Sequence, residues 1–253
     1  MAVMDEFRDK REALKDQPLK ERLKYFRDYY LATTLIVLAI IIGGVWLIRD
    51  MVSAKDSAFN GAFVNALQLQ EDISDFTDPF AQAAGIDLEE YDIRLDSNYT
   101  LSDGYDENSY YSMQIIMTRM AAQEIDVMAM DAANFSKYVY NESFADLREV
   151  LPQDLLDKLA AEGKLFYMDQ SFLPTLKELQ EKVYSDTSTA IEYPQYSDPE
   201  AIEDPIPVGI RLDDNELFKE YFIYGDTEAY IGIVINALNM DNAKVFIDYL
   251  YGE

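Results

Sequence analysis

Histidine and cysteine are both absent from this 253-residue chain. Without cysteine there is no disulfide, no thiolate nucleophile and no thiol to carry a lipid. Without histidine, His-assisted serine triads and the usual zinc or other transition-metal sites go as well. Glycine-rich phosphate loops of the GxxxxGK[ST] or GxGxxG kind are also missing. Positive charge is scarce: 21 Lys and Arg stand against 48 Asp and Glu, a net charge of −27. Paired carboxylates could serve a glycosidase, so a carboxylate-based hydrolase is kept as the weakest functional alternative. Among so many acids, however, any given pair reads as solvated surface. The expectation is a protein without catalysis, cofactor or bound metal.

Calcium is the one metal the acids invite. Asp96-Ser97-Asn98, followed by Asp103 to Asn108, begins like an oxygen-ligand loop. Leu101 stands where such a loop needs glycine. Asp213-Asp214-Asn215-Glu216 reads more simply as the start of a helix.

Charge is missing altogether from Leu31 to Ile48 (LATTLIVLAIIIGGVWLI). As a helix this run spans roughly 27 Å, close to the hydrocarbon thickness of a bilayer. It shows no amphipathic stripe that would place one side in a core. Tyr25, Phe26, Tyr29 and Tyr30 cluster with Lys20, Arg22, Lys24 and Arg27 on its near side, and Trp46 and Arg49 mark the far end. The run predicts a membrane helix over residues 30–50, with Leu31, Ile36, Ile40, Ile41, Trp46 and Ile48 as anchor residues. Val52-Ser53-Ala54 has the small residues a signal peptidase reads. Yet the charged leader and the apolar run are both longer than a cleaved signal peptide uses, so an uncleaved signal-anchor is expected.

Orientation follows from the basic residues. Residues 1–29 hold 8 of the 21 Lys and Arg, whereas residues 51–253 hold 12 against 40 acids, a net of −28. The positive-inside rule places the N-terminus in the cytoplasm and the acidic region outside a cell membrane crossed once. The expected division is a basic, amphipathic cytoplasmic leader (1–29), the membrane helix (30–50), a linker (51–57) and an extracytoplasmic α/β domain (58–253). A charge of −28 repels phosphates, so nucleic acid is excluded as a partner of that domain.

Within the domain, strands and helices alternate. Ala62–Leu67 reads as a first strand, followed by a helix closed by Gly85. Tyr91–Leu101 alternates as a strand. Asp106 to Ser109 open a helix through Glu124, with Met113, Ile116, Met117 and Met120 expected on its buried face. Ile125–Met130, ending at Asp131, reads as a buried strand. A short helix with Phe135, Tyr138 and Val139 comes next, then a turn over 144–151 and a helix over Gln153–Glu162 ending at Gly163. Further strands are expected at Leu165–Met168, Ile206–Leu212 and Tyr230–Ile235, with helices at Glu216–Tyr221 and Asn242–Tyr251. This order predicts a mixed, mainly parallel sheet flanked by helices. Tyr184–Pro205, rich in Ser, Thr, Pro and carboxylates, reads as a long acidic surface loop or hairpin.

The stretch Ile125 to Pro152, IDVMAMDAANFSKYVYNESFADLREVLP, resembles bacterial extracellular solute-binding proteins of ABC importers. In that family a helix leads into a "DV" strand, then a short helix and a "l.dL...lP" turn. The C-terminal YIGIVINALNMDNAKVFIDYLYG is similar to the family's closing strand and helix, with its "N.enA..Fi.yL" pattern. The resemblance implies one solute-binding-like lobe, because residues 165–205 leave no room for a full second lobe. A ligand of such a lobe would sit at the carboxyl ends of the strands, at Asn65, Tyr99, Asp131 and Asn134. The alternative reading makes Asn65 and Asn134 turn or cap residues and Asp131 an N-cap. Two functions follow. One is a membrane-tethered interaction or scaffold module with an envelope or membrane protein as partner. The other is a solute-binding receptor or accessory subunit of an ABC importer, with a small solute as ligand.

Overall fold

The computed structural model describes residues 18–53, 55–102, 106–185 and 191–252. The chain forms two compact units, divided between Ala54 and Lys55.

In the first unit, helix α1 (Leu19–Tyr29) is followed by helix α2 (Leu31–Ser53), which holds every expected anchor position. Its large apolar side chains lie open, Ile40 at 67% and Trp46 at 68% exposure. Among the described residues no single helix is long and apolar enough to cross a membrane. The pair Arg22–Asp28 and Leu31–Leu47, bent by 66°, is so by length and composition taken together. Val52 and Ser53 continue α2, and Ala54 lies outside the described residues.

The second unit is an α/β domain around a six-stranded mixed sheet. Its strands are β1 (Asp56–Phe63), β3 (Tyr91–Asp96), β4 (Val127–Asp131), β5 (Leu165–Asp169), β6 (Pro205–Arg211) and β8 (Ala229–Ile233), in the order β3-β1-β4-β8-β6-β5. Strand β1 is parallel to β3 and β4, whereas β8 is antiparallel to both β4 and β6, and β5 to β6. Four of the six strands therefore run the same way. A separate ribbon pairs β2 (Leu67–Gln68) with β7 (Phe222–Ile223).

Strand β4 shows why the sheet is buried on both faces. Side chains alternate across a strand, and Val127 and Ala129 join one apolar cluster while Met128 and Met130 join the other. On the first face lie α3 (Ser74–Ala84), α7 (Gln153–Ala161) and α10 (Met240–Tyr251). Its centre is aromatic: Phe246 packs 4.7 Å from Phe59 and 5.0 Å from Phe80. On the second face lie α4 (Glu107–Ala121), α5 (Ala132–Val139) and α8 (Leu173–Ser185). The short helices α6 (Leu147–Val150) and α9 (Glu216–Lys219) complete the domain.

Several boundaries differ from the sequence reading. Strand β1 begins at Asp56 and ends at Phe63, rather than spanning Ala62–Leu67, because Asn65 turns the chain at a φ of 61°. Strand β3 stops at Asp96, whose carboxylate takes the Asn98 N–H at 3.0 Å and starts a turn. Helix α8 stands where no helix was expected. Further along, Tyr196 bridges edge strand β5, where the Tyr167 N–H donates to the Tyr196 carbonyl at 2.8 Å. That contact covers an edge otherwise open to pairing with another chain.

Asp126 is fully buried and fastens three elements. It accepts the Asn60 N–H (2.8 Å), the Asn239 N–H (2.8 Å) and Asn239 Nδ2 (3.1 Å), joining β1 and the start of α10 to β4. Asn242 Nδ2 adds a bond of 2.8 Å to the Ala58 carbonyl. Replacing Asp126 with Ala orphans these donors and is expected to cost about 3 kcal/mol, with Asp126→Asn losing less. Urea midpoints at constant m value check this.

Candidate functional site

The carboxyl ends of β1, β3, β4 and β6 share one edge of the sheet, which makes it the place to look for a site. Asn65 follows β1 there. Its Nδ2 donates to the Leu101 carbonyl (2.7 Å) and to Asp131 Oδ2 (2.8 Å), while its Oδ1 accepts the Leu101 N–H (2.8 Å). Its own N–H reaches the Tyr99 carbonyl at 2.9 Å. Asparagine is one of the few residues that tolerate the left-handed backbone this demands.

Asp131 ends β4 and is the N-cap of α5, accepting the Asn134 N–H at 3.0 Å. Asn134 Nδ2 returns to Asp131 Oδ2 at 2.8 Å, and Lys137 Nζ donates to Asn134 Oδ1 at 3.3 Å. Three of the four expected residues thus meet in one polar cluster. Tyr99 brings only its carbonyl. Its ring is buried, and its hydroxyl accepts from Arg119. Burial and the neighbouring Asp96 raise the Tyr99 phenol above its ordinary range. Burial also pushes the Asp96 carboxyl up, but bonds from Asn98 and Tyr99 and the Arg119 charge outweigh it, leaving Asp96 below the usual carboxylate range.

Chemically, the cluster clamps residues 99–101 onto the sheet, and its oxygens and amides are spent on one another. The rim beside it is filled by the chain. Residues after β1 and the connection from β6 to β8 leave this same edge and pair there as β2 and β7. Phe63 packs 5.2 Å from Phe218 and 4.9 Å from Phe222, and Phe218 stacks on Tyr224 at 6.3 Å. A depression nearby, about 380 Å³, is open and lined by Gln68, Leu69, Gln70 and Glu71. Small-molecule sites normally enclose most of their ligand, which this surface does not.

Among the described residues, Tyr224 Oη is the buried side-chain polar atom without a hydrogen-bond partner. Burial, helped by the Asp131 charge, lifts this phenol well above its ordinary range. Tyr224→Phe removes an unsatisfied hydroxyl, so thermal unfolding is expected to show unchanged stability or a gain of up to about 1 kcal/mol. A clear loss would mean that the hydroxyl is bonded in solution.

The acidic stretches considered for calcium are occupied by local chemistry. Asp96 pairs with Arg119 at 3.3 Å, and Asp213 pairs with Arg211 at 3.0 Å. Asn215 caps α9 by accepting the Phe218 N–H at 2.8 Å. Asp103 lies outside the described residues. Among the described residues no three acids gather in a group that could hold a metal ion.

The chain matches no family model, no curated protein and no solved structure.

A second surface was not foreseen. Helix α4 turns Ser109, Ser112 and Ile116 inward and leaves Met113 and Met117 largely outside, reversing much of the expected face. The serines decide this. Ser112 Oγ accepts the Thr100 N–H (3.0 Å) and Ser109 Oγ the Ser102 N–H (2.9 Å), so α4 sits with its serines against the clamped segment. Asp106 caps the helix through the Ser109 N–H at 2.9 Å, and bonds from Ser102 and Ser109 lower its carboxyl to about 2.

Tyr110 (53%), Tyr111, Met113, Ile115 and Met117 (59%) are consequently exposed. Asn236 Nδ2 bonds the Met120 carbonyl at 2.8 Å, which brings exposed Ile235 and Leu238 to the C-terminal end of the same helix. The sequence did carry a signal for this surface: Asn108 to Thr118 is free of charge in a strongly acidic chain.

Proposed function

We propose that the chain is a membrane-tethered extracytoplasmic interaction or scaffold module, built on one reduced solute-binding-like lobe, without catalysis. The observation that carries this reading is the charge-poor, exposed apolar face of α4. Contiguous exposed apolar side chains on a domain mark contact sites, and Tyr and Met are favoured where proteins meet. The self-satisfied cluster at Asn65, Asp131 and Asn134 and the aromatic filling of the rim weigh against a solute as principal ligand. The uncharged run in α2 supports a single-pass tether in the cell membrane. The leader's share of Lys and Arg supports a cytoplasmic N-terminus and an acidic domain outside.

The test is site-specific photocrosslinking of the full chain in its host cells. A benzophenone side chain at Met113 is expected to give one discrete adduct with an envelope or membrane protein. The same probe at Glu181 should give none, and Met117→Glu should weaken the Met113 adduct at least several-fold. A second reading, a solute-binding receptor or accessory subunit of an ABC importer, is favoured by the meeting of Asn65, Asp131 and Asn134 at the strand ends. Thermal stabilisation by micromolar sugars, peptides or amines, with no adduct from Met113, would replace the first reading by the second.

A further inference from the structure

We infer that α1 lies in the headgroup layer of the membrane and binds anionic phospholipid there, so that α1 and α2 together make an L-shaped anchor. This rests on α2 being the tether. The residues of α1 are distributed as a lipid surface requires. At about 100° per residue, Leu19, Leu23, Phe26 and Tyr30 fall within a stripe roughly 60° wide, all four exposed, Leu19 by 73% and Leu23 by 66%.

Arg22 flanks the stripe on one side and Arg27 and Lys20 on the other, with Lys24 further round toward Asp28 at the opposite pole. Cations at the apolar–polar boundary can place their stems along the acyl chains and their heads among the phosphates. The exposed Asp28 carboxylate pairs with Arg27 at 3.1 Å, a surface pair worth little that a lipid phosphate can replace. Phe26 and Tyr30 stack with ring centres 6.4 Å apart, at the end where α1 turns into α2.

The turn itself supplies the geometry. Arg22–Asp28 and Leu31–Leu47 are bent by 66°. With α2 crossing near the normal, that bend carries α1 most of the way into the membrane plane, stripe and flanking cations included. A second copy of α1 is the competing occupant, but a stripe this narrow on 11 residues gives three turns of contact, short of a stable zipper. The net charge of α1, four cations against two acids, also favours an anionic surface over its own like.

Because the chain has no cysteine, single cysteines can carry an environment-sensitive fluorophore without background. The full chain is labelled at Leu23→Cys, Asp28→Cys or Ile40→Cys and placed in nanodiscs of phosphatidylcholine alone or with 30% phosphatidylglycerol. Quenching is read from lipid-borne spin labels. At Leu23→Cys it should be at least three-fold stronger in the anionic discs, and that gap should shrink in 0.5 M salt. Asp28→Cys should stay weakly quenched in both, and Ile40→Cys strongly quenched in both. In the Leu23→Cys chain, Lys20→Glu with Lys24→Glu and Arg27→Glu should abolish the difference between discs. Equal quenching of position 23 in the two discs, or no more than at position 28, overturns the inference while leaving the tether intact. Quenching of position 23 that follows the number of chains per disc rather than lipid charge assigns the stripe to a second copy and also overturns it. Weak quenching at position 40 overturns the tether itself.

Discussion

Arginine at both Ile40 and Ile41 is expected to remove the chain from the alkali-resistant membrane fraction. The positions lie at the middle of the uncharged run, where an arginine opposes insertion by about 2.5–3.5 kcal/mol. Two of them oppose it by roughly 5–7 kcal/mol. The nine Leu, Ile and Val residues that remain from Leu31 to Ile48 favour insertion by only about 0.3–0.6 kcal/mol each near the helix centre, and less toward the ends. The sum therefore changes sign, while leucine at both positions should change nothing. Carbonate extraction of membranes, followed by immunoblotting, distinguishes the two variants. Continued retention of the double arginine chain would remove α2 as the proposed tether.

Phe246→Ala should be the most damaging single change in the α/β domain, lowering its stability by about 3–5 kcal/mol. The ring is fully buried and touches Phe59 and Phe80 at close range, with Phe76 at 6.1 Å. The rings of Phe59, Phe76 and Phe80 that surround it are rigid and fill a cavity poorly. Against a typical total of about 5–15 kcal/mol, the loss is a third of the stability or more. Urea denaturation of the full chain in mild detergent, followed by tyrosine near-ultraviolet circular dichroism, should show a lower midpoint and an unchanged slope. Phe246→Leu should lose less than half as much. A shift below 1 kcal/mol for the alanine variant would mean that the aromatic cluster is not the centre of the core.

What could be read from the sequence was what is decided locally. Strand β4 was evident because four apolar residues, Val127 to Met130, run together, the mark of burial on both faces. Gly85 and Gly163 marked helix ends through the left-handed backbone each adopts. Asp106 and Asp131 do cap helices, as their positions before helical runs implied. Strand β1 was misplaced because its polar members make sense only through distant partners. The Asn60 N–H is held by Asp126, and a side chain on Gly61 would meet Leu95 at 2.9 Å. The orientation of α4 was misjudged because methionines look like core, whereas Ser109 and Ser112 turn inward to accept the Ser102 and Thr100 N–H groups of the segment before the helix. Of the expected cluster, Asn65, Asp131 and Asn134 were found from strand-end position alone. The direction of the Tyr99 ring depended on Arg119, twenty residues further on, and had no local signal.

The strand that comes last in the sequence, β8, occupies an inner place in the sheet, between β4 and β6. Delivered from its N-terminus, whether by a ribosome or across a membrane, the chain must wait for its final stretch before the two halves of the sheet can join. Only then does Asn239 arrive to satisfy Asp126. Until that moment the earlier strands have open edges on which to pair with strangers, so speed of delivery and protection from neighbours become requirements of this topology. Removal of the last 25 residues would therefore leave no smaller native domain, but two incomplete half-sheets with nothing to connect them.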